Sequence, residues 1–491
     1  MKTKTQTEKF CHSILGLIVG KNKALCNLVM GLASQRGAGS VVEISESACY
    51  HYQYSSISKV LSDQWSFPEG ERLELLPLAE QLLSLKAPHF AKSFGDFWLL
   101  NTDSSSLFRP FSPALPDRSY VHKPNNRVKG NRPVDVGYEF SVIGLSARSP
   151  RYGMSEAPWN LPLSMELIPY EANRNSFTAQ QVNDLLNQDG LPFDQDLVVN
   201  ALDSNYSSPE YIADTHDQPN LVNIIRLASN RNAWKKLTAG QIAEQKQSWS
   251  DSRGAPPIYG AKYKLSQVAD WDLPPDEQQS FGIKLANGRK AVVKVSGWKE
   301  MMFRSKRGKS MKDKEFDLVK VVLHDGLTGL PLFKKSMWLG VWGKRREELN
   351  LEEIYWAYRN RFDIEHFLRF GKQRLLLDKF QTPDRDHLQN WLEVVSLAYW
   401  LLWVASDEAS HQTKKWQQYD PAFKRRQQEQ LRVSPSNVQD QLETIILSFD
   451  QQPFTPEVKI KGKGRRPGTT FPKRPRYPVR KKTTKRKKTV P

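Results

Sequence analysis

The stretch from residue 358 to residue 372 places four chemically distinct side chains at helical spacing. It reads Tyr-Arg-Asn-Arg-Phe-Asp-Ile-Glu-His-Phe-Leu-Arg-Phe-Gly-Lys. At 100° per residue, one narrow stripe of such a helix holds Tyr358, Arg361, Glu365 and Lys372. A carboxylate there can bind a metal ion, and the two cations can bind phosphate. The alternative is a solvated face on which the arginine and the glutamate form an ordinary i,i+4 ion pair.

Two aspartates follow apolar segments that are typical of β-strands. Asp103 comes after residues 97–101, and Asp203 comes directly after residues 197–202. Open α/β sheets gather functional groups at strand ends, so both carboxylates are candidates for a site shared with Glu365. An aspartate that ends a strand is also a common turn residue or helix cap. Two other aspartates compete for the first position: Asp96 and Asp135.

Three carboxylates that meet at one site suit a pair of divalent cations. Mg²⁺ and Mn²⁺ prefer carboxylate and water oxygens, and two such ions can catalyse an in-line displacement at a phosphodiester. Without metal, the three acids would repel one another. The sequence therefore predicts a site that is strained or loose in the absence of metal and tightens when two Mg²⁺ or Mn²⁺ ions bind.

The spacing Tyr-x2-Arg-x3-Glu-x6-Lys resembles the Tyr-Arg-Glu-Lys signature of DDE insertion-sequence transposases. The resemblance implies that Glu365 is the third catalytic and metal-binding carboxylate, after Asp103 and Asp203. It implies a ribonuclease H-like catalytic core, with the acids on the first strand, the fourth strand and a late helix. It also implies that the transposon end is held by the other three signature residues: Tyr358, Arg361 and Lys372.

Further features of the chain are similar to this family. Tyr206 follows Asp203 closely, and the next strand leads into an arginine-containing stretch in which Arg226 and Arg231 would contact DNA. Some members flip a DNA base onto an aromatic residue of a β-rich insertion before the glutamate helix. Trp298 is the candidate here, and a tryptophan buried in the core is the alternative. Two other tryptophans are rivals for this role: Trp338 and Trp342.

The charge of the chain is concentrated in a C-terminal tail. The 491 residues carry a formal net charge of +19, but fifteen lysines and arginines lie in residues 459–488, which hold no acid. The remainder carries only +4. Interrupted by prolines, the tail is predicted to be disordered, and nucleic acid is its expected partner. A solubilising role or binding to an anionic membrane is the alternative.

The sequence gives no indication of a disulfide framework or a membrane span. Its three cysteines all lie in the first fifty residues and match no common zinc spacing, so a reducing, cytoplasmic environment is expected. The apolar run of residues 13–20 is cut short by Lys21 and Lys23 and lacks an evident signal-peptide cleavage site, so a signal peptide is not expected. The longest apolar segment, residues 394–405, is too short to cross a bilayer and predicts a buried helix.

The order of elements predicts an α/β protein with added segments. Residues 1–92 form a helical N-terminal domain for DNA binding, compatible with a helix-turn-helix but also with another small bundle. Residues 93–230 and 345–408 form the ribonuclease H-like core, and 231–344 form the β-rich insertion. Residues 409–454 form a helical segment, and 455–491 form the disordered basic tail.

Taken with the resemblance, these features predict a DNA transposase of the cut-and-paste type. Its partners would be double-stranded DNA, both the terminal inverted repeats and the target, and a second copy of the chain in a synaptic dimer. It would act in a prokaryotic cytoplasm, at the nucleoid. A ribonuclease H-like nuclease without strand transfer and a non-catalytic DNA-binding descendant are the alternatives.

Overall fold

The computed structural model describes residues 5–14, 23–63, 97–123, 133–147, 159–188, 191, 195–248, 259–285, 288–306, 308–412, 419, 433–449, 468, 470 and 473–481. Within these ranges the chain is a mixed α/β protein, built on one large sheet with helices packed against it. The predicted α/β class is therefore confirmed. Asp96 and most of the basic tail lie outside the described residues.

The described part of the sheet has twelve strands. They are β1 (Phe97–Phe108), β2 (Ser119–His122), β3 (Val134–Ser146), β4 (Asn160–Leu167), β5 (Leu197–Leu202), β6 (Leu221–Leu227), β7 (Asn232–Lys236), β8 (Tyr259–Lys264), β9 (Glu277–Lys284), β10 (Lys290–Met302), β11 (Phe316–Asp325) and β12 (Met337–Trp342). Their order is β2-β3-β1-β5-β6-β12-β11-β10-β7-β8, with β4 paired to β3 and β9 to β10. β1 and β6 both run parallel to β5 between them.

The predicted insertion is continuous with this sheet rather than a separate layer. β12 pairs antiparallel with β6, through Trp338 opposite Leu227 and Trp342 opposite Asn223. β10, β11 and β12 then form antiparallel pairs in turn. The strands of the predicted β-rich insertion, residues 231–344, thus extend the sheet beyond the parallel strands.

The described helices surround the sheet. They are Gln6–Lys9, Lys23–Ser34, Tyr54–Asp63, Arg174–Leu186, Pro209–Thr215, Ala239–Ser248, Leu351–Asn360, Phe362–Arg374, Arg385–Val404 and Pro435–Leu447. We call Phe362–Arg374 the Glu365 helix. Helix Arg385–Val404 is buried on nearly every side and packs against β4 and the N-terminal helix Lys23–Ser34. No helix among the described residues is long and apolar enough to span a membrane.

Two local predictions about the site are wrong. The segment from 358 to 372 is not one continuous helix, because Leu351–Asn360 ends before Arg361 and a second helix begins at Phe362. Asp103 also does not end its strand, because β1 continues to Phe108 through antiparallel pairing with β3. Only the parallel pairing stops near Asp103, at Thr102 opposite Leu202. Both differences arise from tertiary contacts that spacing along the chain does not contain.

Part of the basic tail also departs from prediction. Residues 473–481 are ordered along the edge of the sheet, where the backbone N–H of Arg480 donates to the Arg118 carbonyl (2.7 Å) and that of Tyr477 donates to the Pro113 carbonyl (2.8 Å). A parallel bridge joins Arg480 to Ser119 of β2. Disorder is therefore the wrong prediction for this segment. The reason is that an edge strand offers unpaired backbone groups to an extended chain of almost any composition.

Candidate active site

Parallel register brings the two predicted aspartates together. In the β1–β5 pair, Thr102 lies opposite Leu202, so Asp103 and Asp203 each occupy the next position on neighbouring strands. Neighbouring strands are roughly 4.8 Å apart, and residues in equivalent positions point to the same side. Asp203 also caps the short turn that follows β5, where it accepts the Ser204 N–H at 2.6 Å.

A ladder of buried polar side chains fixes that register beneath the aspartates. The Thr102 hydroxyl donates to Asn200 Oδ1 at 2.9 Å, and Asn200 Nδ2 donates to the Tyr211 hydroxyl at 3.0 Å. Tyr211 in turn donates to Asn223 Oδ1 at 3.2 Å. The ladder therefore crosses β1, β5 and β6, and any slip in register would break buried hydrogen bonds that are costly to leave unmade.

The kink between two helices orients the third carboxylate. Asn101 of β1 donates from Nδ2 to the carbonyl of Asn360 at 3.5 Å, which ties the end of helix Leu351–Asn360 to the strand that carries Asp103. Arg361 lies at the break and is 3% exposed. Its guanidinium donates to Glu365 Oε1 at 2.6 Å and lies 3.7 Å from Asp103 Oδ2.

The exposed-face alternative for this helix is therefore wrong. Arg361 is buried between two acids, and its guanidinium also lies over the rings of Phe362 (4.8 Å) and Tyr358 (5.7 Å). Tyr358 itself has no exposed surface. The guanidinium of the ion pair is thus buried beside the acids, while the Glu365 carboxylate remains accessible to solvent.

Electrostatics show that burial and the neighbouring acids act on Asp103. Burial raises the pKa of Asp103 to about 6, against 3.8 for an ordinary aspartate. Arg361 and the Ser104 N–H oppose this rise in the Asp103 pKa. The negative charges of Asp203 and Glu365 raise the Asp103 pKa further. The site is therefore short of positive charge, which is the condition that a bound cation relieves.

Lys372 lies on the same side of the Glu365 helix, as predicted from spacing. Its ammonium donates to the Ser105 hydroxyl at 2.7 Å and to the Ser106 carbonyl at 3.3 Å. Burial lowers the Lys372 pKa, while the charges of Asp378 and Asp103 oppose that change. Lys372 therefore joins β1 to the helix next to the acids.

The two predicted DNA-contacting arginines have different surroundings. Arg226 is exposed on β6, and its charge reaches buried Tyr358, whose pKa it lowers against the larger effect of burial. Arg231 instead donates to the Ser207 carbonyl at 2.6 Å and to the Ser207 hydroxyl at 2.8 Å, with its guanidinium over Phe303. Arg231 therefore braces the turn that follows Asp203, a role that the sequence did not indicate.

Trp298 lies in an aromatic cluster. It is 3% exposed, and its indole N–H donates to the Leu273 carbonyl at 3.1 Å. Its ring is 5.3 Å from that of Trp271 and 5.8 Å from that of Trp338. A DNA base could stack on Trp298 only if this cluster opened, so the buried-core alternative accounts for its position.

The competing aspartate that is described has a structural partner. Asp135, on β3, accepts a hydrogen bond from Lys123 at 2.6 Å, which lowers the pKa of its carboxyl group. Asp103, in contrast, faces two other acids. The structure therefore favours Asp103 over Asp135 for the first position.

The donor set suits a hard divalent cation, although no metal cage is preformed. Across the described ranges, no three His, Cys, Asp or Glu side chains are grouped closely enough to hold a metal ion. Glu365 is bound to Arg361, yet its side chain is 41% exposed and can rotate away. Three carboxylates with a raised Asp103 pKa are the oxygen ligands that Mg²⁺ and Mn²⁺ prefer.

Several positioning residues were not found from the sequence. Three buried asparagines lie on the neighbouring strands β1, β5 and β6: Asn101, Asn200 and Asn223. The register places Asn200 and Asn223 on the face of the sheet opposite to Asp103 and Asp203. An amide in the middle of a buried strand is an unusual choice, and its recurrence on three strands was the available signal.

The fold and the site together define a mixed α/β protein with an acidic centre beside exposed and buried cations. Residues 160–401 match the family model described as the transposase DDE domain. The chain therefore carries a transposase DDE domain over just under half of its length. The match includes Asp203 and Glu365, while Asp103 precedes it. No curated protein matches the chain.

Proposed function

We propose that this protein is a cut-and-paste transposase that cleaves DNA at transposon ends and joins the freed 3′-hydroxyl to target DNA. The observation that carries the proposal is that Asp103 and Glu365 both pair with Arg361, while the strand register places Asp203 beside Asp103. The transposase DDE domain supports DNA as the substrate.

The strand order supports a ribonuclease H-like core. In the path β4-β3-β1-β5-β6, the strands from β4 to β1 pair antiparallel, and β5 and then β6 continue the sheet parallel to β1. Asp103 lies on β1, the first strand of this path along the chain. Asp203 follows β5, which is the fourth, and Glu365 lies on a later helix. This is the arrangement that the signature implied.

Asp103, Asp203 and Glu365 would hold two Mg²⁺ or Mn²⁺ ions. Such ions, when bound, activate the attacking oxygen and stabilise the leaving oxygen of a phosphodiester displacement. Arg361 compensates two of the acids in the metal-free protein. With those acids engaged elsewhere, the Arg361 guanidinium would be free to bind a DNA phosphate in bidentate geometry.

The surrounding cations would orient the DNA end. Lys372 and the exposed Arg226 flank the acids and would bind backbone phosphates. The Lys372 ammonium would act as a point charge, and the planar Arg226 guanidinium could donate two parallel hydrogen bonds. Tyr358 would act indirectly, because it is buried and supports Arg361 with its ring. The N-terminal helices would read the terminal repeat, and a homodimer would hold two ends in one synaptic complex.

The test uses labelled duplexes that carry the DNA flanking the gene, with Mg²⁺ or Mn²⁺. Wild-type protein should yield products in which element ends are joined to target DNA. Asp103→Asn, Asp203→Asn and Glu365→Gln should each reduce cleavage by more than about 100-fold. Binding of the duplex, measured by gel shift, should remain.

Asp135→Asn is the matched control, because it neutralises a described aspartate of the same sheet that pairs with Lys123 away from the acids. It should retain full cleavage. Cuts without joined products would make the protein a nuclease, and retained but uncut DNA would make it a non-catalytic binder. Either result, or full activity of a triad variant, would refute the proposal as stated.

A further inference from the structure

The ordered part of the basic tail is anchored by a buried arginine. Arg118 is 4% exposed, and it donates to the Tyr477 carbonyl at 3.2 Å and to the Arg109 carbonyl at 3.0 Å. Together with the backbone hydrogen bonds of Tyr477 and Arg480, this fixes both ends of a short extended segment. We call residues 473–481 the tail ridge.

Arg118 is connected through Arg109 to the segment that follows the Glu365 helix. Arg109 is 2% exposed and donates to the carbonyls of Asp378 (3.0 Å) and Phe380 (2.8 Å), which follow that helix. The tail ridge is therefore attached through Arg118 and Arg109 to the element that carries Glu365. It is a fixed part of the catalytic domain.

The outer surface of the tail ridge is cationic. Its backbone is held at Tyr477 and Arg480, and its five lysines and arginines are exposed: Lys473, Arg474, Arg476, Arg480 and Lys481. Two acidic groups lie close by. Asp117 lies 3.5 Å from the Arg480 guanidinium. Glu171 accepts a hydrogen bond from the hydroxyl of Tyr170, whose ring lies beneath the Arg480 guanidinium.

Exposed aromatic side chains border these cations. Phe111 is 94% exposed, Tyr120 is 50% exposed and Tyr477 is 37% exposed. All three lie on the segments that the hydrogen bonds of the tail ridge join. Cations interleaved with aromatic groups are typical of nucleic-acid-binding surfaces.

The sheet register gives the distance from this surface to the acids. Counting β3, β2 and the tail ridge, three strand steps of roughly 4.8 Å separate Arg480 from β1, or about 15 Å. Along β3, the partners of Ser119 and Asp103 are Gly137 and Val142, which adds about 17 Å at ~3.4 Å per residue. The combined separation is roughly 22 Å, or about six to seven base pairs of B-form DNA.

We propose that the tail ridge is a binding surface for duplex DNA that contacts the phosphate backbone about six to seven base pairs from the scissile phosphate. This inference rests on the proposed function, because the acids define where the scissile phosphate lies. The favoured partner is DNA rather than an anionic membrane because the cations form a narrow extended row bordered by aromatic groups. The row also lies on the domain that carries the acids.

The first experiment measures how the affinity for a 40-base-pair duplex of arbitrary sequence depends on salt. The triple variant Arg474→Gln/Arg476→Gln/Lys481→Gln should reduce the slope of log K against log salt by about 2–3, since each phosphate contact contributes about 0.9. The control replaces three exposed lysines on other parts of the protein: Lys312, Lys334 and Lys335. Equal slopes for the two triple variants would overturn the inference.

A matched pair of substitutions separates the docked ridge from a merely basic tail. Tyr477→Ala removes the ring but keeps the backbone N–H that Pro113 accepts, whereas Tyr477→Pro removes both. Neither changes the charge. Tyr477→Pro should lose several-fold more DNA affinity than Tyr477→Ala. Equal losses would show that docking contributes nothing and would overturn the inference.

The predicted distance is tested with element-end duplexes shortened on one side of the cleavage position at a time. With more than ten base pairs on both sides, the triple variant should bind more weakly than wild type. With fewer than five on the side that the ridge contacts, the two proteins should bind equally. A difference that persists at every length would refute the placement.

Two controls keep this inference distinct from the proposed function. Wild-type cleavage and joining on the long duplex report the function itself, whatever the ridge variants do. Binding to vesicles that contain phosphatidylserine reports the membrane alternative. Loss of vesicle binding by the triple variant, with unchanged DNA affinity, would overturn the inference in favour of a membrane.

Discussion

Replacing Arg361 should expose the charge imbalance of the site. The guanidinium is 2.6 Å from Glu365 Oε1 and 3.7 Å from Asp103 Oδ2. Arg361→Gln keeps much of the side-chain volume but removes the positive charge. In the metal-free protein it leaves three carboxylates without the cation that two of them contact.

The expected cost follows from how buried each partner is. Breaking a buried ion pair costs about 3–5 kcal/mol, but the Asp103 side chain is 19% exposed and that of Glu365 is 41% exposed. Solvent screening reduces the Glu365 contribution to about 0.2–1 kcal/mol. We therefore expect the free energy of unfolding to fall by about 2–3 kcal/mol, and the apparent melting temperature by roughly 2–3 °C for a chain of 491 residues.

The assay is thermal unfolding with and without Mg²⁺ or Mn²⁺. Bound divalent ions would compensate the same carboxylates, so the variant should gain more stability from metal than wild type gains. Arg369→Gln is the matched control, because Arg369 is an exposed arginine on the Glu365 helix. It should change neither the melting temperature without metal nor the gain on adding it.

Two results would refute this reasoning. If Arg361→Gln were as stable as wild type without metal, the guanidinium would not be compensating the acids. If metal stabilised both proteins equally, Asp103 and Glu365 would not be the ligands that Arg361 releases.

Three further predictions address the supports of the site. Asn200→Ala should lower the free energy of unfolding by about 2–4 kcal/mol in urea titrations, because it leaves buried hydroxyls such as that of Thr102 unpaired; unchanged stability would contradict the polar ladder. Arg231→Gln should slow cleavage about 10- to 100-fold with DNA affinity nearly unchanged, because Arg231 braces the turn at Ser207; a parallel loss of affinity would make it a DNA ligand. Metal-free Asp103→Asn should be more stable than wild type above about pH 6 but not at pH 4, measured by melting temperature. Burial raises the Asp103 pKa from 3.8 to about 6, so ionisation destabilises the folded wild type as the pH rises through that window; parallel profiles would rule this out.

The order of residues along the chain was enough to indicate the family of the domain. The spacing of Tyr358, Arg361, Glu365 and Lys372 indicated the family, and the family match over residues 160–401 agrees with it. The short apolar runs and glycine turns also predicted a mixed α/β fold. Such signals are local, since they depend on helical and strand periodicity within a few residues.

The pairing of segments that are far apart in the chain could not be predicted from the sequence in the same way. The polar run Asp103 to Ser106 resembles the end of a strand, yet β1 continues because β3 supplies hydrogen-bond partners as far as Phe108. The tail ridge has a composition typical of disorder, yet β2 and Arg118 supply partners for its backbone. Whether a polar segment is ordered depended on an edge formed by residues far away in sequence.

The sequence by itself determined which side chains are present and in what order, because composition and periodicity are properties of the chain alone. The tertiary structure decided how buried these side chains are, which groups they contact and how their pKa values shift. Folding buried Tyr358 and Arg361, raised the Asp103 pKa to about 6 and turned Arg231 into a brace. Burial and charge proximity depend on distances between separate elements, and these exist only once the sheet and the kinked helix pair have packed together.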